Sequence, residues 1–285
     1  MREAMYWTSE GNLVKCNLCP HNCSIAEDNI GICRVRRNLN NKLYSLNYGK
    51  ATSIALDPIE KKPLNQFFPG KKILSVGSYG CNLKCSYCQN WSIAHADPTS
   101  FDVEPAQLVK KALELINDKN IGIAFTYNEP SIWFEFVYDT ARLSFIEGLK
   151  NVLVTNGFIN TKPLEDVLPY IHAMNIDVKA FNNEFYKQIC KGTLEEVKQT
   201  VEISAKKCHV EITTLIIPGL NDKEKEIEEL ASWLAGINTE IPIHFSRYFP
   251  NYKMKDRKLT PYETLEKAKK IAENYLKHVY IGNVF

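Results

Sequence analysis

The sequence predicts an α/β protein in which an incomplete (β/α)6 barrel of parallel strands follows a small cysteine-bearing N-terminal module. From Lys71 onward, six short apolar runs rich in β-branched residues alternate with segments of helical period. That alternation is typical of a parallel sheet with right-handed helical crossovers. The first 70 residues differ, because they hold four cysteines, short strand-like runs and turn dipeptides such as Asp57-Pro58. We therefore assign residues 1–70 to the module and residues 71–285 to the core domain.

The six strand candidates are short and apolar, as expected for strands that are buried on both faces. In chain order they are residues 73–76, 121–125, 152–155, 176–178, 210–217 and 243–246. Helical period is clearest in residues 105–116, 224–234 and 264–276, and Thr161 followed by Pro163 is typical of a helix start. A doubly wound sheet is the alternative to a barrel, and in both folds ligands bind at the carboxyl ends of the strands.

Charge and composition exclude several classes of protein. The 35 Lys and Arg residues nearly balance the 33 Asp and Glu residues, which indicates neither a nucleic-acid partner nor an anionic membrane surface. Short basic runs such as Lys61-Lys62 are interpreted as solvated surface. No apolar run reaches the roughly 18 residues of a membrane span, and the polar start lacks a signal core, so we expect a cytoplasmic protein. Thiols stay reduced there, so the nine cysteines indicate metal rather than disulfides.

Three of these cysteines form a specific motif directly after the first strand candidate. Cys81, Cys85 and Cys88 give the spacing C-x3-C-x2-C, with no fourth cysteine nearby and no histidine between the motif and His95. Thiolates select zinc or iron–sulfur clusters. Structural zinc requires four closed ligands, whereas three thiolates leave one iron of a cubane open to chelation by the amino and carboxylate groups of an amino acid. The alternatives are a zinc knuckle completed by a distant ligand, or three buried thiols.

This motif resembles that of the radical S-adenosylmethionine (radical SAM) superfamily. The resemblance implies that Cys81, Cys85 and Cys88 hold a [4Fe–4S] cluster, that SAM binds its open iron, and that the backbone of Tyr87 contacts the adenine. It also implies the reaction: a low-potential donor such as a flavodoxin or ferredoxin reduces the cluster, and SAM is cleaved to a 5′-deoxyadenosyl radical that abstracts hydrogen from a substrate. The cofactor supplies the difficult chemistry, and the protein orients it and excludes water.

Polar residues follow the second strand candidate, where a parallel sheet collects its ligands. The segment Thr126-Tyr127-Asn128-Glu129-Pro130 is similar to the Gly-Gly-Glu-Pro segment that receives the methionyl amino group in the superfamily, with Tyr127 and Asn128 in place of the glycines. The resemblance implies that Asn128 and Glu129 bind the cofactor. The alternative for Glu129 is an acid at a helix N-terminus.

The ends of the later strands extend this similarity to the glycyl-radical activating enzymes. Thr155-Asn156-Gly157 and Asp177-Val178-Lys179 resemble their corresponding segments, which implies that Thr155, Asn156, Asp177 and Lys179 bind the cofactor, the last two through its ribose and carboxylate. A lone Asp-x-Lys is more often a surface pair. Arg247, after the sixth strand candidate, is suited to pair with a carboxylate, and a salt bridge that closes the barrel is its competing role.

Within the superfamily, the chain resembles the AmmeMemoRadiSam-system radical enzymes, which are often described as homologues of pyruvate formate-lyase activating enzyme. The similarity covers nearly the whole chain and includes Cys19-Pro20-His21-Asn22-Cys23, the segment from Leu56 to Leu64, and the segment from Ser246 to Met254. It implies a glycyl or other protein residue as the substrate, which the sequence does not identify.

A second cysteine cluster lies in the N-terminal module, with the spacing C-x2-C-x3-C-x9-C. Four thiols within eighteen residues suit a tetrahedral zinc site or a second iron–sulfur cluster, and the alternatives are reduced thiols or disulfides formed in air; the residues are Cys16, Cys19, Cys23 and Cys33. Cys190 and Cys208 are isolated and typical of core residues. A redox or radical role for Cys190 is the alternative.

Two functions from other classes compete with adenosyl chemistry. A zinc-binding interaction module predicts a colourless protein with zinc at all seven clustered cysteines. An iron–sulfur electron carrier predicts a coloured protein that is reduced and reoxidised without forming 5′-deoxyadenosine.

Overall fold

The structure is a computed structural model that describes residues 1–284. Its N-terminal part is built from seven short strands: β1 (Arg2–Glu3), β2 (Trp7–Glu10), β3 (Leu13–Cys16), β4 (Ser24–Ala26), β5 (Arg36–Leu39), β6 (Lys42–Ser45) and β7 (Lys50–Ala51). They form two small antiparallel sheets, in the orders β1-β6-β5 and β2-β3-β4. β7 pairs with a later strand, β10 (Phe101–Asp102). Strands this short bury little surface by themselves, so the module depends on the core domain for its packing.

An eight-stranded sheet forms the core. Its members are β8 (Ser53–Pro58), β9 (Lys72–Gly77), β11 (Asn120–Phe125), β12 (Lys150–Thr155), β13 (Ala173–Asp177), β14 (His209–Ile216), β15 (Ile243–Arg247) and β16 (Val279–Gly282). The last seven run parallel in chain order, and β8 pairs with β9 in the antiparallel direction. Within residues 1–284 no strand pairing joins β8 to β16, so the barrel is open on that side.

The predicted fold class is confirmed, and the structure adds two strands to the six expected. β9 and β11 to β15 fall where the sequence predicts strands. β16 is a seventh parallel strand, and three of its four residues are only half-buried, so it lacks the continuous apolar run that marks the others. β8 lies before residue 70, so the main sheet takes one strand from the N-terminal part. The division into residues 1–70 and 71–285 stays a prediction.

Residues 1–284 contain eight α-helices, and several of the longer ones pack against strands of the sheet. They are α1 (Trp91–Ala94), α2 (Pro105–Glu114), α3 (Phe134–Ile146), α4 (Thr161–Val167), α5 (Asn183–Phe185), α6 (Glu195–Ser204), α7 (Glu224–Ile237) and α8 (Tyr262–Ala272). α2 begins with a capping box between Glu104 and Gln107, and α4 begins at the predicted Thr161. None of the helices in residues 1–284 combines the length and apolarity of a membrane span.

The segment that joins β8 to β9 closes one end of the barrel. Its residues Ile59, Leu64 and Phe67 are buried in the interior of the barrel, where they pack against apolar residues of four strands. Polar contacts anchor the segment: the Asn175 side-chain amide donates to the Pro63 carbonyl over 2.8 Å, and two backbone N–H groups donate to the Glu211 carboxylate. The segment therefore forms a floor, and the opposite, carboxyl end of the barrel stays open.

A buried ion pair attaches the N-terminal part to the core. The Arg36 guanidinium donates to both oxygens of the Glu135 carboxylate, over 2.7 and 2.8 Å, and the two side chains are only 1% and 2% exposed. Glu135 also accepts the Met5 backbone N–H over 2.7 Å. Loss of one partner alone leaves an uncompensated charge in the interior, which strongly destabilises the folded protein.

We expect Arg36→Met to lower the free energy of unfolding by about 3–5 kcal/mol. The double variant R36M/E135Q removes both charges and keeps an acceptor for the Met5 N–H, so it is expected to lose less than the two single variants together. Denaturant unfolding of the four proteins measures both effects. Additive losses would contradict a coupled pair.

Candidate active site

The carboxyl ends of the parallel strands surround a cavity of about 780 Å³. Cys81, Cys85 and Cys88 line one side of it. Seven of the eight predicted cofactor residues line the rest, namely Tyr87, Asn128, Glu129, Thr155, Asn156, Asp177 and Lys179. These residues come from four different strand ends, and the parallel order of the strands brings them together.

The side chain of Asn128 fixes the loop that leads from β9 to Cys81. Its Oδ1 accepts the Ser78 backbone N–H over 2.9 Å, and its Nδ2 donates to the Gly80 carbonyl over 3.1 Å. Gly80 has φ +87°, and a Cβ there would come within 2.8 Å of the Cys33 carbonyl oxygen. Only glycine fits this approach without displacing the backbone. Asn128 thus positions the cysteine loop.

Tyr127 occupies a glycine position of the superfamily segment at a conformational cost. Its φ of +71° lies in the left-handed region, which is unfavourable for a bulky residue. Two contacts hold it: the hydroxyl donates to the Asp57 carboxylate over 2.7 Å, and the carbonyl accepts from the Asn90 side-chain amide over 2.7 Å. The second contact ties the end of β11 to the residue two positions after Cys88.

The three thiols differ in their surroundings. Burial raises the pKa of Cys81, and it raises that of Cys88 to about 11. A hydrogen bond with the Cys190 thiol lowers the pKa of Cys85. Within residues 1–284 no three Cys, His, Asp or Glu side chains converge closely enough to hold a single metal ion.

Cys190 lies behind the cysteine loop rather than in the cavity. It ends the π-helical turn Tyr186–Cys190, whose last carbonyls accept the backbone N–H groups of Lys84 and Ser86 over 2.7 and 3.1 Å. The Tyr87 hydroxyl is 3.7 Å from the Cys190 Sγ, and the Tyr87 ring packs near Phe185. The turn therefore packs against the cysteine loop, and Cys190 does not line the cavity as a fourth thiol.

Glu129 is the centre of the hydrogen-bond network on the opposite side. Its carboxylate is buried and accepts the Thr155 hydroxyl over 2.6 Å and the backbone N–H groups of Asn156 and Ser131 over 2.8 and 2.9 Å. Burial raises its pKa, and these hydrogen bonds oppose that shift. Glu129 therefore joins the ends of β11 and β12 and places its carboxylate at the cavity wall. It also caps the helical turn that follows it, which is the alternative role expected from the sequence.

Asn156 connects this network to the cysteine loop. Its Nδ2 donates to the Asn82 Oδ1 over 2.9 Å and lies 3.7 Å from the Cys81 Sγ. Asn82 in turn donates to the Phe158 carbonyl over 2.6 Å. An amide that donates to a ligating sulfur is a recognised way to tune an iron–sulfur site.

Asp177 and Lys179 form an ion pair inside the cavity. The Lys179 ammonium donates to the Asp177 carboxylate over 2.7 Å. Burial lowers the pKa of Lys179, but the carboxylate of Asp177 and the thiolate of Cys85 outweigh it, so the net shift is upward. The ammonium group therefore keeps its charge beside the cysteines, and the pair is not the surface pair that the spacing alone suggests.

Arg247 is the predicted cofactor residue that does not line the cavity. Its Nε donates to the Thr260 carbonyl over 2.7 Å, and its guanidinium lies over the Phe249 ring. Within residues 1–284 it forms no salt bridge, so the barrel-closing ion pair is not formed either. Its neighbour Ser246 lines the cavity instead, because alternate residues of a strand point to opposite faces.

Lys62 and His95 are two of the cavity residues that the sequence analysis did not predict. Lys62, interpreted as solvated surface, is buried, donates to the Asp57 carboxylate over 2.8 Å and lies 4.6 Å from the centre of the Tyr127 ring. The only sequence feature that could have indicated its ion pair was the Lys61-Lys62 pair shortly after Asp57. His95 lines the mouth, and its Nδ1 is buried without a partner among the described residues. Burial lowers its pKa to about 4, so the imidazole is neutral at neutral pH.

Comparisons with known proteins show the family of this chain. The sequence profile described as the Radical SAM superfamily matches residues 75–234, which include the C-x3-C-x2-C motif. Over its full length the chain is 43% identical to an uncharacterized protein of Methanocaldococcus jannaschii, MJ0808, and covers 86% of it. It is 28% identical to the pyruvate formate-lyase-activating enzyme of Clostridium pasteurianum, over 70% of this chain and 88% of that protein.

A solved structure shares the fold. The radical SAM methyltransferase from Sphaerobacter thermophilus matches 76% of this chain and 67% of its own, with a TM-score of 0.59 at 15% identity. The chain therefore belongs to the radical SAM superfamily and is an enzyme similar to the glycyl-radical activating enzymes.

Proposed function

We propose that Cys81, Cys85 and Cys88 hold a [4Fe–4S] cluster and that SAM binds across the cavity and is cleaved reductively. One observation carries this proposal: three thiols face a cavity that Cys190 does not line, and the other walls of this cavity carry a buried carboxylate and an ammonium group. Charge-assisted hydrogen bonds from such groups suit the amino and carboxylate ends of a methionyl group.

When bound and reduced by the donor, the cluster would supply the one electron that cleaves the S–C5′ bond of SAM to methionine and a 5′-deoxyadenosyl radical. The residues of this chain bind and orient the reactants. Glu129 accepts from the amino group, the Asp177–Lys179 pair contacts the ribose and the carboxylate, and the backbone of Tyr87 contacts the adenine. The floor formed by residues 59–68 keeps water out of the closed end of the barrel.

We further propose that the hydrogen donor is a residue of a protein, and that a low-potential protein of the flavodoxin or ferredoxin type supplies the electron. The name of the Clostridium pasteurianum relative supports the first point, because it states that the protein activates another enzyme. The open mouth of the cavity offers a path for such a substrate.

The test is a single-turnover assay on the anaerobically reconstituted chain. With SAM and dithionite we expect 5′-deoxyadenosine and methionine in equal amounts, and without dithionite neither product. Chromatography of the quenched reaction measures both. A brown protein that is reduced reversibly without releasing 5′-deoxyadenosine would be an electron carrier, and a colourless protein with zinc at all seven clustered cysteines would be an interaction module.

A further inference from the structure

The four N-terminal cysteines come together around one interior cavity. Cys16 ends β3, Cys19 and Cys23 lie between β3 and β4, and Cys33 lies just before β5. All four thiols are free and line the same space, which also receives Arg36. The Cys19 thiol is near enough to the other three for their charges to raise its pKa, in addition to the larger effect of burial. Residues far apart in the two small sheets therefore present one set of sulfur ligands.

Backbone N–H groups donate to the sulfurs of this set in a repeated pattern. The N–H groups of Leu18, His21 and Val35 donate to the thiols two residues earlier, at Cys16, Cys19 and Cys33. The same relation links Leu83 to Cys81 and Asn90 to Cys88 in the active site. An N–H donor stabilises the thiolate, which is the form that binds metal. Both cysteine sets therefore share a backbone geometry suited to metal thiolates.

Arg36 adds positive charge and an unused donor. Its side chain is 1% exposed, its terminal nitrogens are occupied by Glu135, and its Nε–H has no partner among the described residues. A buried donor without a partner is destabilising, so such groups call for an explanation. An anionic metal–thiolate group in the adjoining cavity would accept from this donor.

The similarity to the active-site thiols favours an iron–sulfur cluster over a single zinc ion. The N-terminal thiols accept backbone N–H groups in the same relation as Cys81 and Cys88, which are proposed above to hold a cluster. Hydrogen bonds to the sulfurs are a usual feature of iron–sulfur sites.

We propose that Cys16, Cys19, Cys23 and Cys33 hold a second iron–sulfur cluster, with Arg36 Nε–H as a donor to it. The site adjoins the active-site loop, because the Cys33 carbonyl packs on Gly80 and the His21 Nε2 lies 2.8 Å from the Asn82 carbonyl oxygen. The proposal concerns metal binding alone and does not depend on the cleavage of SAM.

The test uses the full chain, purified without air and reconstituted with ferrous iron and sulfide. We expect about eight iron atoms per wild-type chain and about four in the variant C81A/C85A/C88A, whose remaining cluster gives an electron paramagnetic resonance signal after reduction. The variant C19S/C33S is expected to keep only the active-site cluster, and Cys208→Ser, at a cysteine outside both sets, to keep both.

The triple alanine variant leaves the N-terminal site unaltered, so the test holds even if C19S/C33S fails to fold. Zinc in place of iron in that variant, or the absence of bound metal, would overturn the proposal. Loss of 5′-deoxyadenosine formation with retention of the second cluster would refute the proposed function and leave this inference standing.

Discussion

Replacement of Cys81, Cys85 or Cys88 by alanine is expected to lower the rate of 5′-deoxyadenosine formation by more than about 100-fold. Loss of even an outer partner of a metal ligand costs about 10- to 100-fold in affinity or activity, and loss of a ligand removes the bond itself. We expect each variant to lose the iron of this site as well. Iron analysis and product analysis after anaerobic reconstitution measure the two effects.

Cys208→Ala is the matched control for these variants. Cys208 is a half-buried free thiol that contacts the Ser204 carbonyl and lies outside both cysteine sets. Its removal is expected to leave iron content and product formation unchanged. Cluster assembly at the wild-type level in any of the three active-site variants would remove the basis of the proposed function.

Glu129→Gln is expected to weaken SAM binding by roughly 10- to 100-fold. The carboxylate accepts three hydrogen bonds, and the amide must turn an N–H₂ group toward at least one donor while it also loses the charge offered to the methionyl amino group. Hydrogen bonds to charged groups contribute about 1.5–3 kcal/mol each, which corresponds to that range. Equilibrium binding of SAM to the reconstituted, unreduced protein measures the loss.

Thr155→Val distinguishes the contribution of the Glu129 charge to SAM binding from the contribution of its hydrogen bonds. It removes one donor to the carboxylate and keeps the charge and the size of the side chain. We expect a loss in SAM affinity several-fold smaller than that of Glu129→Gln, with a similar decrease in melting temperature. Equal losses of affinity in the two variants would mean that Glu129 acts through the fold alone.

The strands and helices that were predicted correctly are those with a clear pattern in the local sequence. Six buried parallel strands are continuous apolar runs, and the helices between them have a clear period, so both were recognised. β16 was missed because its residues are mostly half-buried and its order comes from pairing with β15. β8 was assigned to the N-terminal module because chain position cannot show that a strand returns to pair with the sheet.

The same difference holds for the residues of the site: those marked by a local motif were predicted, and those whose position depends on distant contacts were not. Seven of the eight cofactor residues predicted by motif and strand position line the cavity, because parallel strands carry their ends to a common edge. Arg247 does not line it, since its orientation depends on the contact with Thr260. The burial of Lys62 depends on a floor segment that is packed by four other strands.

The sequence by itself identified the superfamily of this protein, because the spacing of Cys81, Cys85 and Cys88 and the polar residues after each strand are local properties of the chain. The tertiary structure alone decided which distant groups share a space. It closed the barrel floor with residues 59–68, paired Arg36 with Glu135 and gathered four N-terminal thiols beside the active-site loop. The reason is physical: contacts between residues distant in sequence form only when the whole core packs, and no local pattern records them.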